Sequence, residues 1–516
     1  SLPPSRSHFI SHIVLFSYCS QFGGLFTMSH VPRHHFQHRD AIFRIVGSFG
    51  PQTMEIPYQH TVPTSSYFDF KSVGNTLKSQ SELELDQLPP RSLHATYSGG
   101  YMLVGHKGSL FGFGANHMGE TATPQPYADH WMRPRFSLDP HTHQLVKLNW
   151  VKCGSVASFA YVTCWNLKEQ REENVLCACG NSTDGMLGDL DTRTLNSPHQ
   201  NTPTAAQERR RHRAHHMGIN ISQNSPTRNL SIKTFTPLHI PFKDPHNEQV
   251  LGVESQGTST IVWTLRPDRT NGVYGTGTNM SFEMSTKREN LREFKDITDE
   301  FVRDYPNEDC RIVDIKKTLT TTHVLLSNGK LYARGRGRNS ELGTGRLVET
   351  HLAEVDIPFA SNERVERIFT GTHHVMALTK VRDARTGYEL NRLFEWGAGN
   401  FPGKIIVGQR TDPNYTEPSP ERFGIREITH HYFSREDPIV QVRCGSNMTY
   451  VITQSGKIYC AGSSSDGQLG VEYESPDAPT LGHYKNMVKF LVPEGEKIVD
   501  IACAQTSAVL WSREEV

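Results

Sequence analysis

Short apolar runs separated by glycine-bearing turns recur along this chain, and residues 439–471 show the pattern most clearly. Ile439, Val440 and Val442 lead into Cys444-Gly445. Tyr450-Val451-Ile452 is a second apolar run, and Gln454-Ser455-Gly456 is a turn. Glycine accepts positive φ there and supports a tight hairpin. Residues 457–462 read as a third strand ending in small residues, and 465–470 as a polar loop with two glycines. Apolar pieces of this length and spacing predict a small antiparallel sheet. One such sheet cannot bury both of its faces alone, so it needs neighbours.

The neighbours recur in the sequence. Aligned on the glycine that ends the third strand, the copies are anchored at Gly47, Gly114, Gly180, Gly277, Gly335, Gly397 and Gly462. Successive anchors lie 58 to 67 residues apart, with one gap of 97. A steady period with one oversized gap predicts an array carrying one insertion. A phase-shifted set of half-repeats precedes the hairpins, running from residues 93–104 to residues 498–510. The downstream half at 42–50 has no upstream partner, and the upstream half at 498–510 has no downstream one. The expected solution is an all-β ring, a seven-bladed β-propeller closed by pairing of its N- and C-terminal half-repeats. Closure leaves no long exposed sheet edge. The alternative is an open solenoid.

The stretch GKIYCAGSSSDGQLG at residues 456–470, with Gly185-Met186-Leu187-Gly188, resembles the repeat of the regulator of chromosome condensation family. The resemblance covers about residues 40–511 and implies the same seven-bladed propeller. Trp396-Gly397 keeps the family's aromatic-glycine ending, whereas Ala461-Gly462 and Cys179-Gly180 depart from it. The Gly-Gln-Leu-Gly loop is intact at 467–470, and Asn279-Met280-Ser281 stands in its place in the fourth copy.

The resemblance also implies functions. The family's founding member promotes nucleotide exchange on the small GTPase Ran and docks on nucleosomes. Acidic and histidine residues on one face, and an insertion in the third blade, engage the GTPase. Here the matching turns read Ser98-Gly99-Gly100, Gly154-Ser155-Val156 and Gly257-Thr258-Ser259. Many relatives are binding scaffolds. The expected function is therefore a protein-interaction propeller that binds a protein partner through its loop faces. Guanine nucleotide exchange on a Ran-like small GTPase is the alternative. An enzyme or carbohydrate-binding propeller is the second alternative.

Composition changes this picture little. Lysine plus arginine equals aspartate plus glutamate at 54 each, so no global attraction to nucleic acid or membrane follows. Of nine cysteines, Cys177, Cys179, Cys444, Cys460 and Cys503 fall at strand positions that want a small apolar side chain. They read as reduced core residues of a cytoplasmic or nuclear protein. No zinc-type cysteine pair occurs, and neither metal nor cofactor is expected. No nucleophile elbow or phosphate-binding glycine loop occurs, and no catalytic residue is assigned. His323, His373 and His374 sit where the family places a strand-start hydrogen bond within the blade, which implies structural histidines.

Residues 1–38 do not fit the repeat and read as a tail, with 39–516 as the propeller. The apolar run at 9–19 is too short and interrupted to span a bilayer. It faintly resembles a signal-peptide core, although the first methionine is Met28. His30, His34, His35 and His38 read as solvated tail residues. Residues 380–392 form a charged insertion and 410–432 a connector carrying prolines and charges, both expected on the faces of the ring. A monomer without membrane contact is expected.

The oversized gap holds residues 192–230, rich in Asn, Thr, Pro, Gln and Ser, a disordered composition. Arg209, Arg210, Arg211 and Arg213 put four fixed positive charges in five residues. They are the partner-binding candidates: an import signal, or an arm for chromatin, nucleic acid or an acidic protein surface. The alternative is a solvated loop. His212, His215 and His216 carry only a loose metal spacing. Loop-closure entropy grows with the logarithm of length, so the insertion adds little to the cost of folding. Excising 192–230 is expected to leave the thermal melt of the propeller unchanged; an unfolded product contradicts this.

Overall fold

Met448–Thr453 is buried at all six positions, as are Gly100–Gly105 and Thr321–Leu326. A strand buried on both faces must lie inside a sheet that is itself covered on both sides. Ile312–Lys317 instead alternates, with Ile312, Ile315 and Lys317 buried and the residues between them at least partly exposed. Such a strand covers the core with one face only. The chain repeats this pairing of a one-sided strand with a two-sided one.

The computed structural model describes residues 42–47, 68–69, 90–105, 108–188, 231–303, 310–360, 362–382, 389–397, 436–463, 468–470, 483–490 and 494–514, with residues 387, 424–429, 433 and 492. Among these the architecture is all-β, apart from a 3-10 turn at Thr183–Gly185 and a short helix at Thr298–Val302. The first strands are β1 (Ile42–Gly47) and β2 (Phe68–Asp69). One sheet follows from β3 (Pro90–Ala95), β4 (Gly100–Gly105), β5 (Leu110–Ala115) and β6 (Tyr127–Met132). The next holds β7 (His143–Cys153), β8 (Ala157–Asn166), β9 (Arg171–Asn181) and β10 (Ser231–Pro237). Then come β11 (Gln249–Gln256), β12 (Ser259–Leu265), β13 (Asn271–Thr278) and β14 (Asn290–Asp296). After them lie β15 (Ile312–Lys317), β16 (Thr321–Leu326), β17 (Leu331–Arg336) and β18 (Val348–Glu354). The following sheet is β19 (Arg364–Thr370), β20 (His374–Arg382), β21 (Glu389–Gly397) and β22 (Arg426–Glu427). Another is β23 (Ile439–Cys444), β24 (Met448–Thr453), β25 (Ile458–Ser463) and β26 (His483–Phe490). The last strands, β27 (Glu496–Cys503) and β28 (Ser507–Glu514), pair not with later chain but with β1, in the order β2-β1-β28-β27. Ile42 to Gly47 run antiparallel to Ser512 to Ser507 without a break in register.

The molecule is a β-propeller, and its core lies between sheets. Met448, Tyr450, Ile452 and Ile458 pack against Ile498, Ile501, Ala508 and Leu510 of the adjoining sheet. Leu325, Leu331 and Ala333 meet Val365, Ile368, Val375 and Phe394. Phe43 of β1 joins Leu93, Tyr101, Phe113 and Trp131 on one side and Ala502 and Val509 on the other. Its ring meets that of Trp131 edge-on at 5.5 Å. The cysteines that read as core residues are free thiols, with Cys177, Cys179, Cys460 and Cys503 buried and Cys444 half-buried.

Register irregularities recur at one place in each first strand, between Pro90/Ser92, Leu148/Trp150, Val250/Gly252, Ile312/Asp314, Val365/Arg367, Ile439/Gln441 and Ile498/Asp500. An extra residue there bends the strand and raises its twist. The anchoring glycines end the third strands. Gly114, Gly180, Gly277, Gly335, Gly397 and Gly462 all have positive φ, between 86° and 120°, and Gly47 ends β1. At Gly335 a Cβ would stand 2.4 Å from the Thr320 carbonyl oxygen, and at Gly397 2.4 Å from that of His373. Both the conformation and the close backbone approach call for glycine.

Two outcomes are expected. Deleting residues 496–516 removes β27 and β28 and uncovers Phe43, Leu93 and Trp131. The truncated chain is expected to aggregate; a monomer with an unchanged melting temperature contradicts the β1–β28 pairing. Replacing Gly335 or Gly397 with valine is expected to cost about 1–3 kcal/mol in denaturant unfolding. Neutral results at both positions contradict the backbone geometry.

Candidate functional site

The tight turns between first and second strands gather on one face, and they touch. The backbone N–H of Ser98 donates to the carbonyl of Ser155 at 3.1 Å, and Ser155 to Ser255 at 3.0 Å. Leu319 donates to Thr372, Thr372 to Ser446 and Ser446 to Ala504, at 2.9, 2.9 and 3.2 Å. Gln505 then donates to Tyr97 at 3.1 Å. Between the turns at Gln256–Ser259 and Thr318–Thr321 the link is Lys317. Its buried ammonium donates to the carbonyls of Gln256 and Ser259 at 3.4 and 3.3 Å, and to the Ser259 hydroxyl. This spacing explains three more glycines. A Cβ at Gly154 would lie 2.3 Å from the Ser255 oxygen, one at Gly371 2.6 Å from that of Gly445, and one at Gly445 2.5 Å from that of Ala504. At the turns Ser98, Thr258 and Leu319 are exposed, Thr320, Thr372 and His373 are partly exposed, and the Ser155 hydroxyl is buried.

The loops between third and fourth strands share a device that the sequence reading missed. Glu120, Glu283 and Glu341 are buried, and each accepts a backbone N–H two residues earlier, from Met118, Ser281 and Asn339 at 2.9, 3.0 and 2.8 Å. They occupy the position of Gln468 in Gly-Gln-Leu-Gly. The sequence holds no shared signal for them; only in the folded backbone does the residue before each, Gly119, Phe282 and Ser340, show a positive φ. The Glu341 carbonyl also accepts from His323 Nε2 and Trp396 Nε1, both at 2.9 Å. Burial pushes the Glu341 carboxyl up, but hydrogen bonds from His373 and its own loop hold it below the usual carboxylate range.

The histidines divide accordingly. His323 is fully buried, and burial lowers its pKa to about 4. His373 Nδ1 lies 3.3 Å from Glu341 Oε1. His374 is buried, and its Nε2 pairs with Thr449 Oγ1 at 3.0 Å. Thr449 belongs to the next sheet, so this bond joins blades instead of starting a strand within one. The reason is the turn contact: Gly371 and Gly445 bring β20 and β24 close enough for the imidazole to cross.

The first strands run along the axis of the propeller and touch in the order β3, β7, β11, β15, β19, β23, β27 and β3 again. Two residues before each tight turn stand His94, Lys152, Glu254, Lys316, Phe369, Arg443 and Ala502, of which Phe369 and Ala502 are buried in the apolar clusters between sheets. Two residues earlier stand Ser92, Trp150, Gly252, Asp314, Arg367, Gln441 and Asp500. Lys316 pairs with Glu254 at 3.3 Å and Asp314 at 3.2 Å. Arg443 pairs with Asp500 at 2.9 Å, and Gln441 donates to the same carboxylate at 2.7 Å. Asp500 also accepts the backbone N–H of Leu93 at 3.3 Å, a bond that reaches from β27 to β3. His94 is neutral at physiological pH, since burial, then Lys152 and Arg443, lower its pKa to about 3.

Arg209, Arg210, Arg211 and Arg213 lie outside the described residues, as do residues 1–41 and the whole of 192–230. The insertion leaves after Gly188 and returns at β10, which pairs with β9 through Ser231 and Asn181. Residues 380–392 prove to be mostly a lengthened hairpin, in which β20 and β21 pair out to Arg382 and Glu389. Among the described residues no group of three or more His, Cys, Asp or Glu side chains is placed to hold a metal, and no helix is long and apolar enough to cross a membrane.

Comparison with known proteins agrees with this geometry. The regulator of chromosome condensation (RCC1) repeat model matches residues 439–468. The ultraviolet-B receptor UVR8 of Arabidopsis thaliana is 31% identical over 144 residues, which is 28% of this chain and 28% of the receptor. Human WBSCR16 superposes with a TM-score of 0.57 at 14% identity, covering 93% of this chain and 100% of that one. Prp20p of Saccharomyces cerevisiae does so with a TM-score of 0.57 at 12% identity, covering 95% and 97%. The matching repeat, the related sequence and the two superposed folds together make this chain an RCC1-like propeller.

Proposed function

We infer that the chain is a protein-interaction module, in which seven blades form one ring closed by β1 on β28 and the loop faces meet a protein partner. The observation that carries this reading is a raised hairpin. β7, β8 and β9 run 11, 10 and 11 residues, against six in β3, β4 and β5. The excess projects from the face opposite the tight turns. It bears Leu145, Val146 and Leu167 at 43%, 49% and 37% exposure. Single exposed apolar residues are ordinary, but three on one projecting hairpin form a contact patch. The basic insertion hangs from the other end of the same sheet, between β9 and β10. Its four arginines suit carboxylates of an acidic protein, or the phosphates of chromatin or another nucleic acid. A nuclear or cytoplasmic monomer fits this role.

Guanine nucleotide exchange on a Ran-like small GTPase is the second reading. Prp20p, whose fold is similar, has binding properties to Gsp1p and histones. The tight turns favour the first reading: they carry no acidic residue, and their one histidine, His373, is engaged by Glu341, whereas the family resemblance attaches acidic and histidine groups to exchange.

The test compares proteins retained by the wild type, a Leu145→Ser/Val146→Ser/Leu167→Ser variant and an Arg209→Ala/Arg210→Ala/Arg211→Ala/Arg213→Ala variant. Surface changes of this kind are expected to shift stability by no more than about 0.5 kcal/mol each. Partner recovery is expected to fall in the triple variant, and the quadruple variant is expected to lose acidic partners with a flatter salt dependence. Full recovery by both variants contradicts the reading. Accelerated nucleotide release from a Ran-like GTPase by the wild type replaces it with the second.

A further inference from the structure

The axis of the propeller carries cations that its carboxylates do not neutralise. At the level nearer the tight turns stand Lys152, Lys316 and Arg443 against one carboxylate, Glu254. At the next level stand Asp314 and Asp500 with Arg367. The pairs are already made: Lys316 takes Glu254 and Asp314, and Arg443 takes Asp500. Glu366, next to Arg367, is held by Lys380 at 2.8 Å. Lys152 and Arg367 are left without an ion pair or hydrogen bond to any other described residue. Arg367 instead lies over the Phe369 ring, its guanidinium carbon 5.1 Å from the centroid, which lifts it toward the level of Arg443.

These cations feel one another. Lys152 keeps part of its side chain exposed, and its ammonium is pushed below its ordinary value by desolvation and then by Lys316, with Arg443 adding to the effect and Asp314 and Glu254 opposing it. Arg367 is pushed down by desolvation and then by Arg443. Lys152 on β7 and Arg367 on β19 thus stand three sheets apart round the ring, Arg367 on the strand beside that of Arg443 and Lys152 across the axis from both. Low-dielectric walls focus such a field, and an anion on the axis would relieve the repulsion. A tetrahedral oxyanion offers oxygens in more directions than a planar carboxylate, so donors from separated sheets reach it together, and an arginine fork pairs with it two-pronged.

We propose that the axial channel is a binding site for a small oxyanion of the phosphate class, held between Lys152 on β7 and Arg367 on β19 beside the Arg443–Asp500 pair. The site is independent of the partner-binding faces and of the basic insertion. Entry is from the tight-turn end, where the surplus cations lie.

The test titrates the full chain with inorganic phosphate and with tripolyphosphate at low ionic strength, by calorimetry and thermal melt. Lys152→Met and Arg367→Met are each expected to weaken binding roughly tenfold or more. Both variants without ligand are expected to melt no lower than the wild type, because each removes a charge that its neighbours repel. A purely structural role for either residue lowers the melt instead and contradicts the proposal. The Arg209→Ala/Arg210→Ala/Arg211→Ala/Arg213→Ala variant is expected to bind as the wild type does; if it loses binding, the ion sits on the insertion and the channel proposal falls. No heat or melt shift in the wild type at millimolar tripolyphosphate also overturns it. Equal affinity in the wild type and both methionine variants does the same.

Discussion

Contact between the tight turns is the constraint on which the rest of the structure depends. Sheets of a propeller splay from the axis, so their backbones come closest at its inner ends. There the turns hydrogen-bond directly, from Ser98 to Ser155 to Ser255 and from Leu319 through Thr372 and Ser446 to Ala504. Backbone at that distance leaves no room for side chains, which is why Gly154, Gly371 and Gly445 recur two residues beyond Lys152, Phe369 and Arg443. Where that link is made instead by a side chain, a buried lysine supplies it. Lys317 is pushed down by burial, with Glu283 and Glu254 offsetting part of the effect. Its carbonyl and hydroxyl partners satisfy an ammonium that would otherwise be costly to bury.

Much of this fold was legible because a propeller repeats itself. The strand-ending glycines mark a backbone requirement, positive φ beside a neighbouring carbonyl, that few side chains tolerate. Gly397 and Gly335 were therefore visible from spacing alone. The loops were harder. Glu120, Glu283 and Glu341 do the work of Gln468, yet nothing in a single glutamate distinguishes a buried cap from a solvated surface residue. Only the left-handed residue before each, seen in the folded backbone, ties them together.

The axial residues were illegible for a different reason. Lys152, Lys316 and Arg443 are each an ordinary polar position of an alternating strand, and in a solitary sheet each would face water. Convergence about the axis brings them together across hundreds of residues of sequence. His374 shows the same limit on a smaller scale. Its spacing from Gly371 was readable, but its partner Thr449 lies in another repeat. Local pattern reports what a strand does; it does not report which strands meet.

The pairing of β1 with β28 bears on how the protein is made. Phe43, Leu93 and Trp131 belong to one apolar cluster with Ala502 and Val509. During translation the first three leave the ribosome long before the last two. At cellular elongation rates of about 5–20 residues per second, that interval is on the order of tens of seconds. Throughout it the nascent chain carries an apolar surface whose cover has not yet been synthesised. Contacts this distant in sequence also form slowly, because the entropy of joining them falls due before any packing repays it. The protein should therefore lean on chaperones during synthesis more than its finished stability would suggest.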